Sequence, residues 1–272
     1  MKGLDEFFKA NKKMWDNSVA RNLKNEEIYK TKELLDGKIV LNSIELEELG
    51  DVSGKKLLHL QCHFGLDTLS WARLGAIVTG VDFSTEAINL AKSLAKKANL
   101  KANFIESNIY DLPKLLDEKY DIVFTSYGVL CWLNDIKEWG RIVSHFLKKG
   151  GVFYIAEFHP FIQVFDYDNP NEFELKDSYF YKPEPNIFES ENENNLNNGE
   201  IIIEKSYEWI HGIGIIITSL IEAGLDIRFM HEFNKAPFPR FQFLTQAKDG
   251  YWYFNNLDYE LPLIYSIKAT KK

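Results

Sequence analysis

Apolar runs of strand length alternate with amphipathic stretches of helix length between Lys56 and Pro160. The apolar runs are KLLHLQC, AIVTGVD, ANFIES, YDIVFTSYGVL and GVFYIAEFHP. The stretches between them repeat apolar residues every three or four positions, and one of them, STEAINLAKSLAKKANL, begins with Ser84 as a helix N-cap. This alternation indicates a parallel sheet covered by helices on both faces. Ligands of such sheets bind at the carboxyl ends of the strands.

The remaining segments predict two additions to this sheet and its completion. Residues 1–50 read as a helical N-terminal cap with Trp15 and Tyr29 as aromatic anchors. Residues 161–208 read as an insertion in which NNG followed by EIIIEKSYEW predicts a β-hairpin. GIGIIITSLIEAG then predicts a helix, and LDIRFMHEF and LPLIYSIKAT predict the last strands. We therefore expect a main domain over residues 51–272, with the insertion covering the functional site.

Composition excludes several classes of protein. A net charge of −8 and a pI near 5.4 argue against a protein that grips nucleic acid through its phosphates. No apolar run reaches the roughly 18 residues that a membrane span needs, and MKGLDEFFKANKK lacks the apolar core of a signal peptide. Two cysteines cannot build a disulfide framework. We expect a cytoplasmic protein with no membrane and no nucleic-acid partner.

The cluster HLQCHFG, at the end of the first predicted strand, has three interpretations. A metal site from His59, Cys62 and His63 is disfavoured, because His59 and Cys62 lie on opposite sides of an alternating strand. A nucleophile elbow is disfavoured as well, because Cys62 is not flanked by glycines. The third interpretation is a nucleotide loop, in which a glycine at the strand–helix junction exposes backbone N–H groups to a ligand.

Asp82 supports the nucleotide interpretation. It ends the next predicted strand, where an acid can accept hydrogen bonds from both hydroxyls of a ribose. The G-x-G-x-x-G fingerprint of a dinucleotide site is absent, and only Gly65 remains of its glycines. The loop therefore favours a ligand with ribose and adenine but no diphosphate.

These motifs resemble those of the class I S-adenosylmethionine-dependent methyltransferases. The resemblance rests on LLHLQCHFGLDTLSWARLGAIVTGVDFS, FIESNIYDLP and YDIVFTSYGVLCWLNDIKEWGRIVSHFLKKGGVFYIAEFHP. HLQCHFG, TSYGVLCWL, AEFHP and LIEAGLDIRFMHEF are similar to a bacterial subgroup that acts on small molecules. The resemblance implies a Rossmann-like α/β fold: a seven-stranded, mostly parallel sheet with helices on both faces, an N-terminal helical cap, and a β-hairpin insertion after the fifth strand.

The resemblance also implies a set of cofactor-binding residues for S-adenosyl-L-methionine and its product S-adenosyl-L-homocysteine. In the first motif His59 stands where an acid is common, and Gln61 and His63 replace two glycines. Asp82 would hold the ribose, and Asn108 the amine edge of the adenine. The full predicted set is His59, Gln61, Cys62, His63, Gly65, Asp82, Phe83, Asn108, Ile109, Ser126 and Tyr127, and it includes no metal ligand.

Methyl transfer to a hydroxyl or a protonated amine needs a base. The predicted catalytic residues are His159 in AEFHP, His211 in EWIHG, and Tyr127. Tyr127 and Trp132 are also candidates for cation–π contact with the sulfonium, and Glu157 is a candidate for orienting an amine.

The expected function is methyl transfer to a small-molecule acceptor by a monomer or homodimer. Two alternatives stay open from the sequence. One is a module that binds the nucleoside ligand without catalysis, and the other is an NAD-dependent oxidoreductase, against which the missing glycines argue.

Overall fold

The computed structural model describes residues 2–166, 174–197, 200–254 and 260–272. Its helices are α1 (Lys2–Lys24), α2 (Glu26–Tyr29), α3 (Thr31–Leu35), α4 (Ser43–Leu49), α5 (Leu66–Arg73), α6 (Thr85–Lys97), α7 (Leu112–Leu115), α8 (Ile136–Phe146) and α9 (Ile213–Glu222). Its strands are β1 (Lys56–Leu60), β2 (Ile77–Asp82), β3 (Ala102–Glu106), β4 (Tyr120–Ser126), β5 (Leu147–Phe158), β6 (Asn186–Asn197), β7 (Glu200–Glu208), β8 (Leu225–Phe233), β9 (Lys235–Ala236), β10 (Leu244–Gln246), β11 (Trp252–Phe254) and β12 (Ile264–Lys271).

The main sheet has seven strands in the order β3-β2-β1-β4-β5-β12-β8 within the described residues. Strands β1 to β5 run parallel, and β12 runs antiparallel to both of its neighbours. The chain order reverses at β1, whose two neighbours are β2 and β4. This sheet confirms the predicted fold class and puts the expected ligand crevice at the carboxyl ends of β1, β2 and β4.

Strand β1 shows why the sheet is buried on both faces. Leu57 faces one side and packs in a cluster with Trp71 and Phe124. Leu58 faces the other side, in a cluster that includes Trp139 of α8. Alternate residues of a strand point to opposite faces, so a strand that is apolar throughout must be covered on both. Helix α5 contributes to one cover and helix α8 to the other.

Helix α1 and the β6–β7 hairpin meet above the carboxyl ends of the strands. The side-chain amide of Asn11 donates to the carbonyl of Tyr207 and accepts from its N–H, both at 2.8 Å, so that it pairs with β7 as a neighbouring strand would. Lys12 donates to the carbonyl of Phe83 just after β2 at 2.6 Å. The helical N-terminus and the hairpin were both predicted, although residues 167–173 and 198–199 of the predicted insertion lie outside the described residues.

A second, three-stranded sheet of β9, β10 and β11 was not predicted from the sequence. Each of these strands has only two or three residues, too few for an alternating pattern to show. The sheet and the residues that flank its strands pack against the end of the main sheet, where Phe241, Leu244 and Tyr251 are buried together with Phe158. It brings residues 237–240 beside the crevice.

Candidate functional site

A cavity of about 430 Å³ opens at the carboxyl ends of β1, β2 and β4. Most of the predicted cofactor-binding residues line it: His59, Gln61, Cys62, His63, Gly65, Asp82, Phe83, Ser126 and Tyr127. The remaining two, Asn108 and Ile109, line a smaller adjoining cavity of about 30 Å³. Gln61, Asp82 and Phe83 line both spaces, so the predicted set forms one continuous crevice. Their binding role remains a prediction.

The loop after β1 has the backbone conformation of a glycine-rich loop, although Gly65 is its one glycine. Gln61, His63 and Gly65 have φ values of 58°, 51° and 78°, which lie in the left-handed region. This conformation costs a residue with a β-carbon roughly 1–2 kcal/mol. Strain of this kind persists where the surrounding structure enforces it, commonly at functional sites.

Asp82 holds this loop in place. Its carboxylate accepts from the backbone N–H of His63 at 2.8 Å and from that of Ser84 at 2.9 Å. Burial raises the pKa of Asp82 to about 6, against the lowering effect of these hydrogen bonds. A carboxylate has about four lone-pair sites, so acceptor capacity remains for ligand hydroxyls.

Two buried polar atoms of the same loop have no hydrogen-bond partner among the described residues. They are Oε1 of Gln61 and Nε2 of His63. Leaving such a group unpaired costs about 1–3 kcal/mol. Both residues line the cavity, so a polar ligand there can satisfy them.

His59 is built into a hydrogen-bonded network. Its Nδ1 lies 2.8 Å from the Thr68 hydroxyl, and burial lowers its pKa to about 3, so the ring is neutral. The Ser126 hydroxyl lies 3.4 Å from Nε2 of His59 and donates to Asp67 at 2.8 Å. Among the described residues, no group of three or more His, Cys, Asp or Glu side chains could hold a metal ion.

The thiol of Cys62 is buried, and burial raises its pKa well above the usual value. A thiol must ionise to act as a nucleophile. The geometry therefore gives no support to the nucleophile-elbow interpretation.

Aromatic side chains surround the far part of the cavity. Tyr127, Phe158 and Phe238 form a triangle with ring centroids 5.9 to 6.2 Å apart. Trp132 lies nearby, held by a 2.8 Å hydrogen bond from its indole N–H to the carbonyl of Gly128 and by an edge contact with Trp15. All five aromatic residues line the cavity.

The structure does not bring His159 or His211 into the residues that line this cavity. His159 is 3.0 Å from Glu232, and its Nδ1 accepts from the N–H of Phe161. His211 lies 2.7 Å from the carbonyl of Leu133, and burial lowers its pKa to about 4. Both rings are engaged elsewhere in the fold, whereas Tyr127 does line the cavity.

Glu157 is the sequence-based candidate for orienting an amine. In the structure its carboxylate binds the backbone of a turn. Its carboxylate accepts from the backbone N–H groups of Gly128, Val129 and Leu130, and so fixes the turn after β4.

Several charged residues of the cavity were missed by the sequence reasoning: Lys30, Asp67, Glu208 and Arg240. Asp67 had a usable signal, because it is an acid two residues after the loop glycine, in the first turn of α5. Lys30, Glu208 and Arg240 come from distant parts of the chain, and no local pattern marks them. Burial raises the pKa of Asp67, while the charge of Lys30 opposes this increase.

Comparisons with known proteins agree with this geometry. Residues 58–155 match the family model described as a methyltransferase domain. The chain is 35% identical over 103 residues to the ubiquinone biosynthesis O-methyltransferase of Pelagibacter ubique, a match that covers 37% of this chain and 41% of that protein. It thus spans less than half the length of the curated relatives it matches.

Solved structures resemble the chain over nearly all of its length. An S-adenosylmethionine-dependent methyltransferase from Mesorhizobium loti has a TM-score of 0.56 and 17% identity, over 87% of this chain and 100% of that one. Another from Clostridium acetobutylicum has a TM-score of 0.56 and 15% identity, over 95% and 96% of the two chains. The chain has the class I methyltransferase fold. Among the residues that the structure describes, no helix is both long and apolar enough to cross a membrane.

Proposed function

We propose that the chain is an S-adenosylmethionine-dependent methyltransferase that acts on a small-molecule acceptor. The observation that carries this proposal is Asp82 at the end of β2, buried and lining the cavity beside the left-handed loop after β1. An acid at this position is suited to the two hydroxyls of a ribose. The unpartnered atoms of Gln61 and His63 fit a polar nucleoside in the same place.

The adenine is assigned to the smaller cavity. Phe83 and Ile109 line it and offer apolar contacts to the faces of the base. The side-chain oxygen of Asn108 accepts from the N–H of Tyr110 at 3.0 Å. An amide oxygen has a second lone pair, which is available to the exocyclic amine of adenine.

The methionine end is assigned to Asp67 and Lys30, on the opposite side of the loop. Both residues line the cavity, and the two side chains carry opposite charges. The amino acid part of the cofactor is a zwitterion, so Asp67 would bind its ammonium and Lys30 its carboxylate. Charge-assisted hydrogen bonds of this kind are among the stronger ones in proteins.

When bound, the cofactor supplies a sulfonium methyl that is transferred in one in-line displacement. The protein's part is to hold the acceptor in line with this methyl, which is worth about 7–11 kcal/mol in favourable cases. The aromatic triangle and Trp132 also exclude water from the reacting atoms. Four further points are predictions. The acceptor is a small molecule, no nucleic acid binds, the protein is a monomer or homodimer, and it is located in the cytoplasm.

Thermal unfolding with ligands tests the proposal. S-adenosylhomocysteine at about 100 times its dissociation constant should stabilise the protein by about 2.7 kcal/mol, which is several degrees of melting temperature. NAD at the same concentration should give no shift, because the loop lacks the glycines that a diphosphate needs. A shift with NAD alone would overturn the proposal. The formation of S-adenosylhomocysteine from S-adenosylmethionine in the presence of a panel of acceptors would distinguish an enzyme from a module that only binds.

A substitution of Asp67 tests the assignment of the methionine end. Asp67→Asn keeps the size of the side chain but removes its charge, so it should weaken S-adenosylhomocysteine binding about tenfold or more, as expected for losing a hydrogen bond to a charged group. Binding of adenosine, which has no amino acid part, should stay unchanged. Calorimetric titration measures both. An equal loss for the two ligands would mean that Asp67 acts on the nucleoside end or on the fold.

A further inference from the structure

The structure places a second buried acid immediately behind the aromatic wall of the cavity. Glu45 of α4 is fully buried, and its Oε2 accepts a 2.9 Å hydrogen bond from the Tyr127 hydroxyl. Its Oε1 accepts from both the backbone and the side-chain N–H of Asn42, each at 3.0 Å. Tyr127 and Asn42 both line the cavity. Glu45 is therefore one hydrogen bond away from the space that an acceptor would occupy.

The surroundings of Glu45 are unusual for a helix-capping residue. Burial and repulsion from Asp67 raise its pKa to about 7, against the lowering effect of its hydrogen bonds. Burial and the charge of Glu45 raise the pKa of Tyr127, and the other titratable groups around the pair, Tyr154 and Tyr251, raise it further. A base is most effective when its pKa lies near the working pH.

We propose that Tyr127 and Glu45 form a proton relay that deprotonates the hydroxyl of a planar aromatic acceptor bound among Phe158, Phe238 and Trp132. This inference rests on the proposed methyltransferase function. Tyr127 is the catalytic residue that contacts the acceptor. Glu45 acts through Tyr127 and is a positioning and proton-accepting residue.

The relay moves two protons and one methyl group. The acceptor hydroxyl gives its proton to the Tyr127 oxygen, while the Tyr127 proton passes to Oε2 of Glu45. A lone pair of the acceptor oxygen forms the new bond to the methyl carbon, and the sulfur–methyl bond breaks with its electron pair left on sulfur. The products are a methyl ether, S-adenosylhomocysteine and a neutral Glu45 carboxyl, which returns its proton to water.

Two features favour a planar aromatic acceptor. Ring faces and edges of Tyr127, Phe158 and Phe238 border the same space, and aromatic rings pair with one another in offset and edge-to-face arrangements. The Tyr127 hydroxyl hydrogen is already donated to Glu45, so its oxygen is free only to accept a further hydrogen bond, which suits a phenolic O–H.

The chain contains a matched control for this pair. Tyr154 of β5 donates to Oε2 of Glu48 at 2.8 Å, and Glu48 lies on the same helix α4 as Glu45. Neither residue is among those that line the cavity. The same tyrosine–glutamate chemistry is thus present one helical turn away, outside the proposed site.

The experiment measures S-adenosylhomocysteine release from S-adenosylmethionine with a panel of catechols, phenols, amines and thiols. At least one phenol or catechol should react. Tyr127→Phe and Glu45→Gln should each lower kcat roughly 100-fold or more, the scale of general base catalysis. Glu48→Gln and Tyr154→Phe should retain wild-type kcat. Glu45→Gln, Glu48→Gln and Tyr154→Phe should bind S-adenosylhomocysteine as the wild type does.

The pH profile separates proton transfer from a structural role. Glu45 must be ionised to accept the proton, so wild-type kcat should fall as the pH drops through about 7. This step should disappear from the residual activity of Glu45→Gln. The proposal is overturned if no phenol reacts, or if Glu45→Gln keeps both the rate and the pH step. Failure to bind S-adenosylhomocysteine would instead overturn the proposed function itself.

Discussion

Replacement of Asp82 by asparagine should lower the affinity for S-adenosylhomocysteine roughly 100-fold or more. Two ribose hydroxyls lose a charged acceptor, and each such hydrogen bond contributes about 1.5–3 kcal/mol. The neutral amide also serves the His63 N–H less well than the carboxylate that now accepts from it at 2.8 Å, which loosens the loop. Calorimetric titration gives the dissociation constants of the variant and of the wild type.

Glu106→Gln is the matched control. Glu106 ends β3 and lies beside Asp82 in the register of the sheet, so both acids occupy the same edge. It pairs with Lys12 and Thr85 at the surface and is not among the residues that line either cavity. Its variant should bind S-adenosylhomocysteine as the wild type does. Equal affinities for all three proteins would refute the ribose assignment.

The affinity for S-adenosylhomocysteine should also depend on pH through the ionisation of Asp82. Burial raises the pKa of Asp82 to about 6, and only the ionised form accepts hydrogen bonds from both hydroxyls. Affinity for S-adenosylhomocysteine should therefore fall as the pH drops through about 6, and Asp82→Asn should not show this step.

Replacement of Gly65 by alanine should destabilise the fold by about 2–5 kcal/mol. The left-handed φ of 78° alone costs an alanine roughly 1–2 kcal/mol. A β-carbon here would also lie 2.6 Å from Cε1 of Phe104 and 3.2 Å from Cβ of Ala91, and overpacking of a core costs about 1–3 kcal/mol. Chemical denaturation measures the free energy of unfolding.

Gly150→Ala separates the two causes. Gly150 has a similar φ of 75°, but an added β-carbon there meets nothing within 4 Å. This variant should lose only the conformational part of the free energy. If the two variants are equally destabilised, the close packing of the loop against β3 makes no contribution.

Much of the fold could be predicted because its signals are local. Strands such as β1 and β4 are mostly apolar and buried along most of their length, and helices such as α6 and α8 have clear apolar faces. Asp82 was found for the same reason, since the end of a strand is visible in the sequence and parallel strands put their carboxyl ends at one edge.

The acceptor side could not be predicted, because it is assembled from distant segments. Glu45 reads as an ordinary helix residue, and only the fold brings it 2.9 Å from Tyr127, which is 82 positions away. The prediction of His159 and His211 as bases rests on their positions next to predicted strands. Their rings are engaged by Glu232 and by the Leu133 carbonyl, contacts that no local pattern reveals.

The loop after β1 could be predicted only in part, because its position is visible in the sequence but its backbone conformation is not. Gln61 and His63 stand where the similar motif has glycines, yet both have positive φ values. The backbone path is held by non-local bonds, among them the one from Cys62 N–H to the Val81 carbonyl at 2.9 Å. Tertiary contacts have thus preserved a conformation that the residue types alone do not favour.

A crystal structure of the protein with S-adenosylhomocysteine is the most direct test of the central claim. We predict that the ribose hydroxyls bind Asp82, that the adenine lies between Phe83 and Ile109, and that the amino acid end reaches Asp67 and Lys30. The sulfur should then face Tyr127. Ligand density elsewhere, or a ribose that makes no hydrogen bond to Asp82, would contradict the account.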